Sequence, residues 1–598
     1  MTKTIRVGCA SGFWGDSYIA APQLIERGNI DYLVFDYLSE ITMSIMARAM
    51  AKDPNAGYAI DFVSVTMASI ARDVAAKKIK VIANAGGVNP RACAAALEAL
   101  LAKLGVDLKV AWIEGDDLMP NLDHWRAAGL TEMFTGMALP EKLVSMNAYL
   151  GGFPVAAALA AGADIVVTGR CVDSAVTLGA CIHEFGWTPS DYDRLAGASL
   201  AGHIVECGAQ ACGGIFTDWE SVPGWDDIGY AIAEIAPDGS FVATKPEGTG
   251  GLVTPGTVGE QMLYEIGDPQ AYMLPDVVCD FSGVTMTQAG KDRVLVKGAK
   301  GYPATATYKV SATWEDGWRV TSMLALAGID AAKKVRRIGE SVLKRMETIM
   351  RQRNWGPFTE TSIEVLGDED SYGPHKREVG SREASLKLAA KHPSRAPLEV
   401  MIRELTSSGT SFAPGITGYG GARAKPSPVV RHFATLVPKA EVPVTLHIGG
   451  KALPVPIDCG GGFEPSMIER PRTAMTATAS FDHTVPLIRL AWARSGDKGD
   501  NSNIGVMARD PAFLPYIRAA LTPESVADWM RHKFKGGKGG KVERFDLPGI
   551  AGLNFLLHEA LGGGGIASLA NDPQGKAYAQ MLLEFPVPVP ADIAARAA

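Results

Sequence analysis

Five short apolar runs dominate the first 180 or so residues, and each one ends in a polar or glycine-rich turn. The runs are Ile5–Cys9, Tyr32–Phe35, Lys80–Ala83, 108–113 and 164–168. Four to six apolar residues between turn signals suit a strand buried on both faces. Helical patterns separate them, such as 91–104, where Ala and Leu recur at helical spacing before Gly105. Strands alternating with helices predict a parallel α/β sheet with right-handed crossovers. In such a sheet the carboxyl ends of the strands share one edge, and ligands bind there. The five turns at that edge read SGFWGDS, DYLSE, NAGGVNP, EGDD and TGRCVDS. Turn and capping chemistry alone also calls for Gly, Asn and Asp at such places.

From about 198 the pattern changes to glycine- and proline-rich loops, including KPEGTGGLVTPGTVGE (245–260), and to β-rich stretches near 304–314. Residues 333–353 read as a charged surface helix. The Thr/Ala-rich stretch 471–485 reads as a linker. Beyond it, a strand over 487–493, the polar loop 494–506, helices near 511–534, strands Val542–Leu547 and Gly552–Leu557 and a helix over 575–585 predict a small α+β sandwich. The division is thus 1–470 (a parallel core over 1–197 and a mixed α/β extension over 198–470), a linker over 471–485, and a C-terminal domain over 486–590.

Composition narrows the partners. The chain carries 58 Lys+Arg against 65 Asp+Glu, a net charge of −7, which points away from nucleic acid. No apolar stretch reaches the roughly 18–20 residues of a membrane span, and the N-terminus reads as a first strand, not a signal peptide. Eight cysteines form no disulfide framework, which places the chain in a reducing, cytoplasmic setting. Only Cys207 and Cys212 are close together, without the paired spacing of a zinc site. Glycine is in excess, at 66 of 598 residues against a usual ~7%, and much of it sits in the loops already named. Neither GxGxxG nor a Walker A sequence is present, so nicotinamide and nucleoside triphosphate cofactors have no support.

Candidate site residues follow from loop position. Ser11, Gly12 and Gly15 lie in the first turn, whose N–H groups suit an anion, and Asp16 there is either a helix cap or a catalytic carboxylate. Asp36 and Glu40 flank the end of the second strand. Two carboxylates at one edge suit general acid–base chemistry, with Glu40 taken as catalytic, Asp36 as binding and capping open for both. Asn84 and Gly86 follow the third strand. Arg170 and Asp173 share one turn, where Arg suits bidentate recognition of an anion or a structural ion pair. Glu206 is a further catalytic carboxylate, and Cys207 would need His203 as its base to act as a nucleophile. The densest polar cluster is RSGDKGDNSN (494–503). There Asp497 and Lys498 are taken as catalytic, and Arg494, Ser495, Asp500, Asn501 and Asn503 as binding. EF-hand spacing is absent, although the carboxylates and Asn leave a divalent metal open.

The motifs SGFWGDS, DYLSE, NAGGVNP, TGRCVDSAVTLG, HIVECGAQACGG and RSGDKGDNSNIGV, in that order, resemble the acyclic terpene utilisation protein AtuA family. The resemblance covers almost the whole chain. It implies a large N-terminal domain over about 4–470, for which the strand pattern predicts a parallel-sheet, Rossmann-like core with a β-containing extension, followed over about 486–586 by a ferredoxin-like C-terminal domain whose hallmark is RSGDKGDNSNIG. It also implies catabolism of citronellol, geraniol and related branched acids through CoA thioesters. The expected activity is a hydratase or lyase acting on a branched or unsaturated acyl-CoA, with coenzyme A as part of the substrate and no other cofactor required. A non-catalytic binding or assembly subunit supporting an acyl-CoA carboxylase is the alternative, and a hydrolase or transferase using Cys207 is a third reading. Membrane and nucleic-acid partners are not expected. A homo-oligomer is.

Overall fold

The computed structural model describes residues 3–377, 380–418, 422–470, 481 and 483–597. β1 (Ile5–Cys9), β2 (Tyr32–Phe35), β3 (Lys80–Ala83) and β4 (Val110–Glu114) take the first four apolar runs; β5 is Ser145–Ala148, and β6 (Ile165–Thr168) takes the last run. β1, β2, β3, β6 and β4 are parallel neighbours in that order. Every residue of β2 and of β6 is buried, which is why these runs show no alternation. Helix Pro90–Leu104 shows the local logic of the connections. The Asn89 side chain accepts from Ala92 N, Pro90 fills the first turn, and Gly105 at φ 66° ends the helix.

The sheet as a whole is mixed rather than parallel. Antiparallel β7 (Ile232–Ile235) and β8 (Phe241–Thr244) extend it beyond β1, and strands Val444–Ile448 and Lys451–Val455 extend it beyond β4. The stretches 1–197 and 198–470 therefore share one eleven-stranded sheet, in which hairpins cover the open sides of the parallel core.

A second sheet is organised by the long strand Thr307–Ala327. Its first half pairs with β5 and with Ser427–Pro438, and its second half pairs with Glu383–His392. Helix Ala331–Gln352 packs there through Val335, Ile338, Val342, Met346 and Met350. This is one apolar stripe on an otherwise charged helix.

The C-terminal unit is a four-stranded antiparallel sheet in the order Ala491–Lys498, Asn501–Ala508, Gly552–Leu557, Val542–Leu547. One face carries Ala493, Ile504, Val506, Leu553, Phe555 and Leu557 into a core shared with helices such as Pro523–Trp529 and Tyr578–Leu582. Here the structure corrects the sequence reading: 494–506 is not a loop. It is a hairpin whose strands run through Lys498 and from Asn501, with Gly499 (φ 65°) in the turn. Polar residues occupy strand positions because alternate side chains leave the core and meet the large domain instead of water. The expected linker lies largely outside the described residues (471–480 and 482), and its last residues enter strand His483–Pro486.

The second face of this sheet docks on helix Pro255–Leu263 and the turn after it. A Cβ on Gly259 would come within 2.6 Å of Met507 Sδ, one on Gly496 within 2.6 Å of Glu265 Cγ, and one on Gly505 would overlap Leu263. Asn503, wholly buried, donates to Leu263 O (2.7 Å) and to Asn554 Oδ1 (2.9 Å) and accepts from Glu265 N (3.0 Å). Asn554 donates onward to Ile266 O at 2.8 Å. Among the described residues no helix is long and apolar enough to cross a membrane.

Gly505→Ala is expected to destabilise the protein by about 1–3 kcal/mol through overpacking, read as a lower thermal midpoint and faster proteolysis between the two domains. An unchanged midpoint would show that the interface does not depend on the missing Cβ.

Candidate functional site

The parallel strands deliver Ser11, Asp36, Asn84, Asp116 and Arg170 to one edge. Ser11 Oγ donates to Asp36 O (3.1 Å), and Asn84 accepts from Tyr37 N (2.7 Å) while its amide donates to the Asp36 carboxylate. Asp116 accepts from Arg170 N (2.8 Å) and Asn147 Nδ2 (2.9 Å). Gly12 and Gly86 serve chain packing here: a Cβ would meet the Cys207 backbone at the first and Thr168 O at the second. Gly15, at φ 93°, faces open space. Asp16 accepts from Gly12 N (2.9 Å) and Ser17 N (2.7 Å), so its carboxylate shapes the first turn.

Beyond β2 the edge becomes strongly charged. The buried Arg170 donates to Leu38 O (2.8 Å) and Asp173 Oδ1 (3.0 Å), and its guanidinium lies 4.3 Å from the Tyr149 ring centroid. Tyr149 donates to Glu40 Oε1 at 2.7 Å. Burial would raise the Glu40 carboxyl, but the charges of His432, Arg170 and Lys309 outweigh it and hold Glu40 well below the usual range. Asp36, four residues earlier, goes the other way. Burial and the neighbouring Asp173 push it well above its ordinary value, against the opposing pull of Arg170. Lys309 is exposed at its surface, and desolvation by the groups around it lowers its pKa.

The C-terminal domain completes this cluster. Burial would lower the Lys498 pKa, but Tyr272, Glu265, Asp173 and Glu206 reverse that and hold the ammonium charged. Glu206 accepts from or donates to His203 Nδ1 at 2.9 Å, at the end of helix Tyr192–Val205. Burial pushes the Glu206 carboxyl up to about 7, with His203 and Lys498 pulling it back. Asp497 is pushed up to about 6 by burial and by Glu265, while Lys576 bridges Glu265 (2.9 Å) and Asp497 (3.3 Å).

Asp36, Glu40, Arg170, Asp173, Glu206, Asp497 and Lys498 thus fall in one electrostatically coupled group, although they span both domains. Other candidates in 494–503 are committed to structure. Arg494 donates to Ile215 O and Gln210 Oε1 (2.9 Å each), Ser495 to Gly575 O (2.6 Å), and Asn501 accepts from Glu559 N (3.0 Å). Asp500 accepts from Gly563 N (2.8 Å), so the chain's own carboxylate occupies the GGGG turn. Asn503 is the docking residue described above. Tyr149, Lys309, His432, Glu265, Tyr272 and Lys576 belong to the group but carry no sequence signal, since none follows a parallel strand.

Family comparison fits this two-part construction. The model described as acyclic terpene utilisation family protein AtuA matches residues 5–448. The chain belongs to the AtuA family. The AtuA ferredoxin-like domain matches residues 485–588, the stretch that supplies Asp497, Lys498 and Lys576. The family's description connects this AtuA member with acyclic terpene utilisation, a catabolic role in broad terms. No curated protein and no solved structure matches the chain.

Among the described residues, no group of three or more His, Cys, Asp or Glu is arranged to hold a metal ion. A cavity of about 500 Å³ lies elsewhere, lined by Val365–Tyr372 and Arg377. It holds none of the coupled group.

Burial pushes the Cys207 thiol well above its ordinary value, with Glu206 and Glu265 adding to the rise. His203, engaged with Glu206 and Met262 O, is not bonded to the thiol. Cys207 is therefore expected to alkylate with iodoacetamide far more slowly at pH 8 in the folded than in the unfolded protein, as read by peptide mass spectrometry. Rapid labelling of the folded protein would restore the nucleophile reading.

Proposed function

We propose that this AtuA-family protein is a catabolic enzyme acting on a branched or unsaturated acyl-CoA thioester by acid–base chemistry of the hydratase or lyase type. One observation carries the reading: Glu206, bonded to His203 at 2.9 Å and pushed up to about 7 by burial, lies within electrostatic reach of a charged Lys498 that the other domain contributes. A carboxylate with a pKa near the working pH is suited to move protons. A charged ammonium across the site suits the negative charge that grows on a thioester oxygen. In a hydration, Glu206 would take a proton from water as its oxygen bonds to the β-carbon, the C=C electron pair would move toward the thioester oxygen, and Glu206 would return that proton to the α-carbon as the enolate collapses. Glu40, held ionised, and Arg170 would orient the substrate. His203 positions Glu206 through its ring nitrogen. A reducing, cytoplasmic setting goes with this reading, since all eight cysteines are free.

The second reading, a binding or assembly subunit supporting an acyl-CoA carboxylase, draws on the exposed apolar side chains Phe13, Tyr18, Ile41, Ile45 and Ile60 on segments following β1 and β2. Exposed apolar clusters mark interaction surfaces, and a second copy of this chain would also suit such a face.

The enzyme reading predicts that Glu206→Gln lowers turnover of a branched unsaturated acyl-CoA by about 10²–10⁴-fold with an unchanged thermal midpoint. The wild-type rate should rise as pH climbs through about 7, because the base must be deprotonated, and Glu206→Gln should lose that limb. Lys498→Met should move the limb upward, because the lysine charge lowers the Glu206 pKa. A wild-type protein that turns over no thioester in a panel, but co-purifies with a carboxylase, would favour the assembly reading.

A further inference from the structure

One charged segment lies outside the coupled group. Residues 531–541 read RHKFKGGKGGK, with Arg531, Lys533, Lys535, Lys538 and Lys541 and no acid between 529 and 542, in a chain whose net charge is −7. Lys535, Lys538 and Lys541 recur every third residue with glycine pairs between them, and all three are exposed. Arg531 pairs with Asp528 and Lys541 with Glu543. Among the described residues, Lys535 and Lys538 have no ion-pair partner.

The glycines here differ from those at the domain interface. A Cβ on Gly259, Gly496 or Gly505 would collide with a neighbour, whereas one on Gly536 or Gly537 would meet nothing within 4 Å. Their φ values, 79° and 67°, with 81° at Gly539, bend the loop back on itself. The Gly536–Gly537 pair costs conformational entropy and returns no packing, whereas Gly540 makes room for the Phe534 ring. Gly537 N donates to Phe534 O (3.0 Å), and what the pair supplies is an exposed backbone turn flanked by the free ammonium groups of Lys535 and Lys538, the chemistry that receives phosphate.

The loop is also fastened to the element that reaches the coupled group. Phe534 is buried at its start. Lys533 donates to Ser371 O (2.7 Å) and sits 5.1 Å from the Tyr578 ring centroid. Tyr578 opens its helix two residues after Lys576, which holds Glu265 and Asp497.

We infer that the KGGKGGK loop (535–541) is an anion-binding site that takes the phosphate-bearing end of the ligand whose reacting end lies at Glu206 and Lys498. The second half of this inference rests on the proposed function, while the anion site itself stands on the loop. The test is isothermal titration of the full-length protein, and of the double variant Lys535→Gln/Lys538→Gln, with inorganic pyrophosphate and with free coenzyme A at low salt. Both lysines are exposed and free of ion pairs, so the variant should keep the wild-type thermal midpoint. Both probes are expected to bind the wild type, to weaken as salt is added, and to lose at least about tenfold in affinity, or about 1.4 kcal/mol, in the variant. Pyrophosphate binding that falls in the variant, with no coenzyme A binding at all, would keep the anion site and sink the acyl-CoA reading. No pyrophosphate binding by the wild type, or equal affinity in the variant, would overturn the anion site.

Discussion

The docking of helix Pro255–Leu263 on the polar face of the C-terminal sheet is the contact on which the rest of the molecule depends. It is a backbone-to-backbone approach, made by removing side chains where the two surfaces are closest. Gly259 receives Met507, Gly505 receives Leu263, and Gly496 receives the Tyr264–Glu265 turn. Sterics bring the surfaces together, and hydrogen bonds fix their register. Asn503 and Asn554 satisfy carbonyl and N–H groups over 263–266 that would otherwise be buried without partners. An unsatisfied buried polar group costs about 1–3 kcal/mol, so a shifted register would forfeit several such bonds at once. The same register points Lys498 at the acids of the large domain.

At the sheet edge, neighbouring carboxyls are driven apart in pKa by their surroundings. Asp36 is raised by burial and by Asp173, while Glu40 is lowered by Arg170, Lys309 and His432. Pairs of acids separated in this way can hold opposite protonation states at one pH. The groups that create the asymmetry come from separate places. Arg170 follows a parallel strand, whereas Lys309 and His432 lie on antiparallel strands of the second sheet. The edge of one sheet is thus tuned by the face of another.

This origin explains what was legible in the sequence. The five parallel strands were, because a doubly buried strand is a short apolar run and its turn is polar. The added antiparallel strands were not. Val444–Ile448 joins β4 from more than 300 residues away, and no local signal records that pairing. Lys309 and His432 were hidden for the same reason. RSGDKGDNSN was legible as the densest polar cluster but misread as a loop. Strand alternation normally sets apolar against water-facing residues, and here the second face meets a protein surface that is itself polar and close. The glycine excess likewise divides into positions where another chain segment fills the missing Cβ and others, Gly536 and Gly537 among them, where nothing does.

Lys498 shows why the coupled group requires both domains. A lysine moved out of water tends to lose its proton, because burial penalises the charged form. This one keeps it, because Tyr272, Glu265, Asp173 and Glu206 surround it with opposing or acidic groups. Those acids are in turn crowded by one another: Asp173 raises both Asp36 and Glu206. The large domain alone would hold mutually repelling carboxylates with too little positive charge among them. The small domain alone would present an ammonium with only Asp497 and its Lys576 partner nearby. Docking relieves both imbalances, so the electrostatic gain adds to the steric fit at Gly496 and Gly505, and the two domains are stable together in the arrangement that assembles the site.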